Sequence, residues 1–167
     1  MNIIIETPRL YLREFTPQDA IHFYELNLNP KVTQYTGDAP FKDMDEAREF
    51  LLNYKDYETN GYGRWAVIDK QTDEFLGWCG LKFDPAQNET DIGFRFFEKN
   101  WNRGYATESA KACLDYGFQT LNLNEIIGRV MKENLASIKV LEKIGLVYEK
   151  EFDFELHPGL IYKIKNT

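Results

Sequence analysis

The stretch from Asp91 to Ala110, DIGFRFFEKNWNRGYATESA, decides the fold. Its aromatic-rich first part reads as a strand ending near Phe97. A short basic loop with Lys99, Arg103 and Gly104 follows, and a helix begins at about Tyr105. Strand, tight loop and helix N-terminus form a geometry that binds phosphate. The first backbone N–H groups of a helix have no intrahelical acceptor, and the helix dipole adds positive potential there. Gly104 permits close backbone approach and dihedrals that other residues avoid. Arg103 supplies charge and hydrogen bonds, and the small Ala106 and Thr107 leave room. The same residues also suit an ordinary strand-to-helix turn, and one Gly with one Arg does not separate the two readings.

Outward from this segment the chain alternates strands and helices. Strands are expected at 64–69, 75–83 and 89–97, separated by turn-rich segments, which predicts an antiparallel meander. Further back, RLYLR at 9–13 alternates polar and apolar residues, as a half-buried strand does. TPQD at 16–19 reads as a helix start: Thr16 can cap, Pro17 suits the first helical position and Asp19 complements the dipole. Ile21, Phe23, Tyr24 and Leu26 give that helix its apolar side. Residues 29–40 read as a loop. A second helix is expected over 43–59, with Ala47, Phe50, Leu51 and Tyr54 on one face and Asn60-Gly61 as its stop.

Toward the C-terminus a helix over 106–120 places Ala106, Ala110, Cys113, Leu114, Gly117 and Phe118 at core spacing. A strand at 125–131 follows. A short helix at 135–144 lies between Asn134 as N-cap and Gly145 as stop, and strands at 146–154 and 160–164 close the chain. The order β-αα-βββ-α-β-α-ββ predicts an α/β (α+β) fold, a mixed and mostly antiparallel sheet with helices on its faces. No repeat or linker-like tract divides it, so one domain over 1–167 is expected.

Composition narrows the function classes. With 167 residues, 43% hydrophobic and 28% charged, the chain can bury a sizeable core. A net charge of -7 repels phosphate backbones and argues against nonspecific nucleic-acid binding. The start MNIIIETPRL is too short in apolar residues for a secretion signal, and no apolar run approaches the ~20 residues of a membrane span. A cytoplasmic protein without a membrane partner is therefore expected. Cys79 and Cys113 stand far apart in sequence and read as two reduced core thiols. His22 and His157 are isolated, so no metal site is expected.

Four segments together carry a resemblance. Residues 102–108 (NRGYATE) are similar to the pyrophosphate loop of the Gcn5-related N-acetyltransferase (GNAT) superfamily, above all its ribosomal-protein amino-terminal acetyltransferase branch. TPRLYLR at 7–13 resembles the opening strand of that branch, IGF at 92–94 the strand before the loop, and NLASIKVLEKIGL at 134–146 its asparagine-to-glycine helix. The resemblance spans nearly the whole chain in order. Two departures stand out. Trp101 occupies a position that is usually Gln or Arg, and Asn102 one that is often Gly. In the last helix many members carry a Tyr where this chain has Leu141, and the branch offers Ser137 one turn earlier.

The resemblance implies a GNAT fold whose sheet splays at the cofactor strand, and direct attack of a neutral amine on the thioester of acetyl-CoA. It implies cofactor binding by Arg103, Gly104, Ala106 and Thr107 at the pyrophosphate, and by the backbone of Phe96 and Phe97 along the pantetheine arm. Asn134 would bond that arm from the other side, and Lys143 would meet the adenosine phosphates. Ser137 is the expected proton donor to the departing thiolate; Asp91 and Glu89 are the expected proton acceptors. Glu108 is expected to point away from the phosphates. The loop from Tyr35 to Phe41 would shape the acceptor site, whereas Trp65 reads as core. The amine acceptor, a peptide N-terminus or a small amine, stays open, as does a CoA-binding module without catalysis. A homodimer is compatible with this reading.

Overall fold

The computed structural model of the chain describes residues 2–154 and 157–167. Among these, eight strands form one sheet in the order β1-β2-β3-β4-β5-β6-β8-β7. They are β1 (Ile3–Glu6), β2 (Leu10–Arg13), β3 (Arg64–Asp69), β4 (Phe75–Asp84), β5 (Glu89–Phe96), β6 (Glu125–Met131), β7 (Val147–Phe154) and β8 (His157–Lys165). The helices are α1 (Ala20–Leu28), α2 (Pro30–Thr33), α3 (Met44–Leu52), α4 (Asp56–Asn60), α5 (Tyr105–Gln119) and α6 (Leu135–Lys143). Neighbouring strands run antiparallel except β5 and β6. That pair is parallel because the crossover helix α5 joins them, whereas hairpin-length turns join β3, β4 and β5.

Alternation along β3 divides the core between the two faces of the sheet. Trp65 and Val67 face α5, where they pack with Cys79, Leu81, Ile92, Ala110, Cys113 and Leu114. Ala66 and Ile68 face the other way, against Ala20 and Phe23 of α1 and Ala47 and Leu51 of α3. Leu114 and Ile126 are almost wholly buried, and each contributes about 1.5–3 kcal/mol through that burial. Cys79 and Cys113 are free thiols inside this core, their Sγ atoms 3.8 Å apart. Burial raises the Cys113 thiol well above its usual value.

The mixed, mostly antiparallel sheet agrees with the expected class, and β3 and β6 have the expected bounds. Three elements differ. The helix expected over 43–59 is two helices: α3 ends at Leu52 and α4 begins at Asp56. The break lets Tyr54 and Tyr57 dock on the start of β3. The Tyr54 hydroxyl accepts from the Arg64 N–H at 2.8 Å, and the Tyr57 hydroxyl donates to the Arg64 carbonyl. Second, β1 was not expected: its unbroken isoleucines lack the alternation of a half-buried strand, yet Ile5 pairs with Leu12 of β2. Third, α2 forms inside the expected loop, capped by Asn29, whose side chain accepts from the Lys31 N–H at 2.9 Å. Among the described residues no helix is long and apolar enough to cross a membrane.

Candidate active site

The parallel pair β5–β6 meets at one register point, Asp91 opposite Ile127, and then opens. On its other side β5 stays zipped to β4 as far as Phe96 opposite Gly77. The Phe97 N–H continues that ladder, donating to the Leu76 carbonyl at 3.2 Å. Backbone groups alternate sides along an antiparallel pair, so Phe94 and Phe96 turn theirs to the open edge. At its end the Phe96 carbonyl accepts from the Trp101 indole N–H at 2.9 Å. This corrects the expected pairing at Phe96 and Phe97. Phe97 is committed to β4, and the open edge consists of the Phe94 backbone and the Phe96 N–H.

Just beyond lies the loop into α5. Asn102 and Gly104 have φ of +61° and +81°, the left-handed region that Gly and Asn adopt most readily. Asn102 therefore takes the backbone conformation that explains a Gly at that place in the resembled branch. The first bond of α5 runs from the Glu108 N–H to the Gly104 carbonyl at 3.0 Å. The amides of Tyr105, Ala106 and Thr107 precede it and have no acceptor within the helix. Arg103 is exposed beside them. A Cβ on Gly104 would sit 3.3 Å from the Arg9 guanidinium.

Arg9 braces this loop from behind. Its Nε donates to Glu108 Oε1 at 2.7 Å, its Nη1 donates to the Arg103 carbonyl at 2.9 Å, and its guanidinium lies 4.5 Å from the Tyr105 ring centre. Thr7 Oγ1 donates to Glu108 Oε2 at 2.6 Å. Glu108 thus turns to the start of β2. Burial alone would raise its carboxyl, but the bonds from Thr7 and Arg9, with the Arg9 charge, outweigh that and carry it below the ordinary glutamate value.

Between the opened strands is a cleft of about 240 Å³. Its lining includes Asp91, Gly93, Phe94 and Arg95 of β5, Arg129 of β6, Asn134 and Ser137 at the start of α6, and Leu141 nearer its end. Asn134 Oδ1 caps α6, accepting from the Ser137 N–H at 3.2 Å, which leaves its NH2 end for another partner. Among the described residues the Ser137 hydroxyl has no hydrogen-bond partner. Arg64 spans the sheet from β3, donating to Asp91 Oδ1 at 2.6 Å and to the Gly80 carbonyl at 2.9 Å. It crosses over Gly93, where a Cβ would come within 2.7 Å of the guanidinium. Arg129 donates to Asp91 Oδ2 at 2.8 Å and to Glu89 Oε1 at 2.9 Å.

Among the expected site residues, Asp91, Asn134 and Ser137 line this cleft, and Tyr35 reaches it from the segment after α2. Arg103, Gly104, Ala106 and Thr107 make the adjoining loop and first helical turn. Lys143 lies exposed at the far end of α6, away from the cleft lining. Phe41 packs on Phe50 of α3, and Trp65 is core. Asp91 and Glu89 are arginine-bound, not free carboxylates. Arg9, Arg64, Arg95 and Arg129 were missed. The alternation of β5, which puts Asp91, Gly93 and Arg95 on one face, was a signal that could have found Arg95. Among the described residues no group of three or more His, Cys, Asp or Glu is placed to hold a metal ion.

Residues 9–147 match the acetyltransferase (GNAT) domain family. The chain is 37% identical over 166 residues to the protein YkkB of Bacillus subtilis (strain 168), covering 96% of this chain and 94% of that one. It is 35% identical to the uncharacterized N-acetyltransferase p20 of Bacillus licheniformis, over 87% of this chain and 82% of that one. A more distant relative, 25% identical over 86% of this chain and 76% of its own, is the spermidine N(1)-acetyltransferase of Escherichia coli (strain K12). Among solved structures, a GNAT-family acetyltransferase from Bacillus anthracis superposes with a TM-score of 0.83 at 28% identity, over 99% of both chains. A ribosomal-protein alanine acetyltransferase from Vibrio fischeri shares the fold, with a TM-score of 0.81 at 17% identity and 99% and 97% coverage. Opened strand edge, glycine loop at a helix N-terminus and family match agree: the chain belongs to the GNAT family of N-acetyltransferases.

Proposed function

We propose that this acetyltransferase binds acetyl-CoA across the α5 N-terminus and the open edge of β5, and acetylates a primary amine in the adjoining cleft. The observation that carries this reading is the placement of an unpaired strand edge directly before a helix start with free amides. When bound, acetyl-CoA supplies an activated acetyl thioester. The amides of Tyr105, Ala106 and Thr107 and the Arg103 side chain receive the pyrophosphate. The Phe94 backbone and the Phe96 N–H pair with the amide-bearing arm as a sheet edge pairs with an added strand. The Asn134 NH2 group donates from the opposite wall. Ser137, its hydroxyl otherwise unpartnered, hydrogen-bonds the departing sulfur.

Asp91 and Glu89 hold Arg64 and Arg129 in place, and the proton lost by the ammonium of the acceptor passes to water in the open cleft. Two acceptor classes are consistent with the family: a peptide α-amine, as the resembled amino-terminal branch suggests, or a small amine, as the spermidine relative suggests. The free Ser137 hydroxyl in the cleft favours catalysis over a CoA-binding module without turnover. The test is release of CoA thiol from acetyl-CoA with a panel of peptides and small amines. Amine-dependent release supports the proposal. Tight acetyl-CoA binding with no release for any amine would favour the module.

A further inference from the structure

The cleft arginines are each tied to carboxylates: Arg64 to Asp91, Arg129 to Asp91, Glu89 and Asp84, and Arg95 to Asp38. The cleft lining holds three arginines, Arg64, Arg95 and Arg129, and one carboxylate, Asp91. Both oxygens of Asp91 are taken, one by Arg64 and one by Arg129. Arg95 is thus the cleft arginine without a carboxylate in the lining.

Arg95 is also held in an unusual way. Its side chain is only 10% exposed. Nη1 donates to Asn27 Oδ1 at 2.9 Å and Nη2 to Asp38 Oδ2 at 2.6 Å, while the guanidinium lies 5.2 Å from the Trp78 ring centre. Its Nε is buried and has no acceptor among the described residues. A guanidinium has five N–H donors in a fixed fork, and Asn27 and Asp38 engage one nitrogen each. Nε is closed off from the cleft, but each Nη keeps a second N–H, and these are the donors left for a further partner. Asn27, Asp38 and Trp78 keep the fork in one orientation before any ligand arrives.

We propose that the acetyl acceptor carries a carboxylate as well as its amine, and that Arg95 receives this carboxylate. Two carboxylate oxygens match adjacent N–H groups of a guanidinium, which a neutral amide or a second ammonium cannot do. The chemistry fits a free amino acid or a peptide with an acidic residue near its amino terminus. It separates such an acceptor from a polyamine, which has no carboxylate to offer Arg95. The inference rests on reading the β5–β6 cleft as the acceptor site.

The test pairs carboxylate-bearing amines with their amides on the wild-type protein. Free α-amino acids are compared with amino acid amides, and amidated peptides beginning Ala-Asp with those beginning Ala-Asn; spermidine is added as the polycation. Thiol release gives kcat/KM, and calorimetry gives acetyl-CoA affinity separately. In the amino acid arm, the peptide arm or both, the carboxylate member should be favoured by about tenfold or more, and the arm that shows this names the source. Arg95→Gln should erase the preference by raising KM while leaving acetyl-CoA affinity within about twofold. Arg95→Lys, which keeps a cation opposite Asp38, should show the same loss if Arg95→Gln does not fold. Equal use of acid and amide, preference for spermidine, or a preference that survives both variants would overturn the proposal while leaving the cleft reading intact. Absence of acetyl-CoA binding to the wild type would remove the cleft reading, and this inference with it.

Discussion

Arg9 and Glu108 lie 99 positions apart and meet at 2.7 Å, joining the start of β2 to the first turn of α5. The same arginine holds the Arg103 carbonyl, so the glycine loop is fastened to the sheet edge from behind. Arg9 is half exposed, which limits its worth to about 1 kcal/mol once solvent screening is counted. Arg9→Ala should therefore weaken acetyl-CoA binding about five- to tenfold. It should leave unchanged the use of an acetylated pantetheine that lacks the pyrophosphate. Calorimetry and thiol-release kinetics with both donors check this, and equal loss for both would show that Arg9 acts on overall stability instead.

Glu108 gives a pH signature. Its carboxyl sits below the ordinary glutamate value of 4.5 in the folded chain. A lowered carboxylate stabilises the native state fully above its unfolded pKa, and that contribution is lost as the pH falls through the folded value. Glu108→Gln should reduce stability at neutral pH and flatten its decline below about pH 4.5. Urea midpoints at pH 7 and about pH 3.5 measure the difference. An unchanged decline would mean that the Thr7–Arg9–Glu108 cluster does not hold in solution.

Ser137 separates binding from chemistry. Its N–H is spent on the Asn134 cap, and its hydroxyl is left over in the cleft. Ser137→Ala should lower kcat about ten- to a hundredfold, within the usual range for removing one group that assists proton transfer. Acetyl-CoA affinity should change little, because the cap is made by the backbone. Full turnover in the variant would exclude the hydroxyl from the reaction.

Much of the fold was legible because periodicity and punctuation agreed. β3 and β6 carry β-branched and aromatic runs between turn residues, and α5 repeats small and apolar residues at helical spacing. β1 was hidden because three consecutive isoleucines show no alternation. The break between α3 and α4 was hidden because Tyr54 and Tyr57 continue an apolar helical stripe while their hydroxyls are drawn to β3. At the site, the phosphate loop could be read locally, since a glycine before a helix is a local statement. Arg9, Arg64 and Arg129 could not. Arg64 and Asp91 are 27 positions apart, Arg129 and Asp91 38, and Arg9 and Glu108 99, and each pair depends on strand order. Nor could sequence show that Asp91, read there as a proton acceptor, is held between the Arg64 and Arg129 guanidinium groups.

The central claim is that the loop at Gly104 and the open edge of β5 bind acetyl-CoA. Calorimetric titration of acetyl-CoA into the wild type and into Gly104→Asp tests it most directly. Gly104 has φ +81°, and a carboxylate there would be both strained and set against the pyrophosphate. The account predicts saturable binding to the wild type in the micromolar range, and at least about a hundredfold weakening in a folded Gly104→Asp protein. No binding to the wild type at millimolar ligand, or undiminished affinity in the variant, would contradict it.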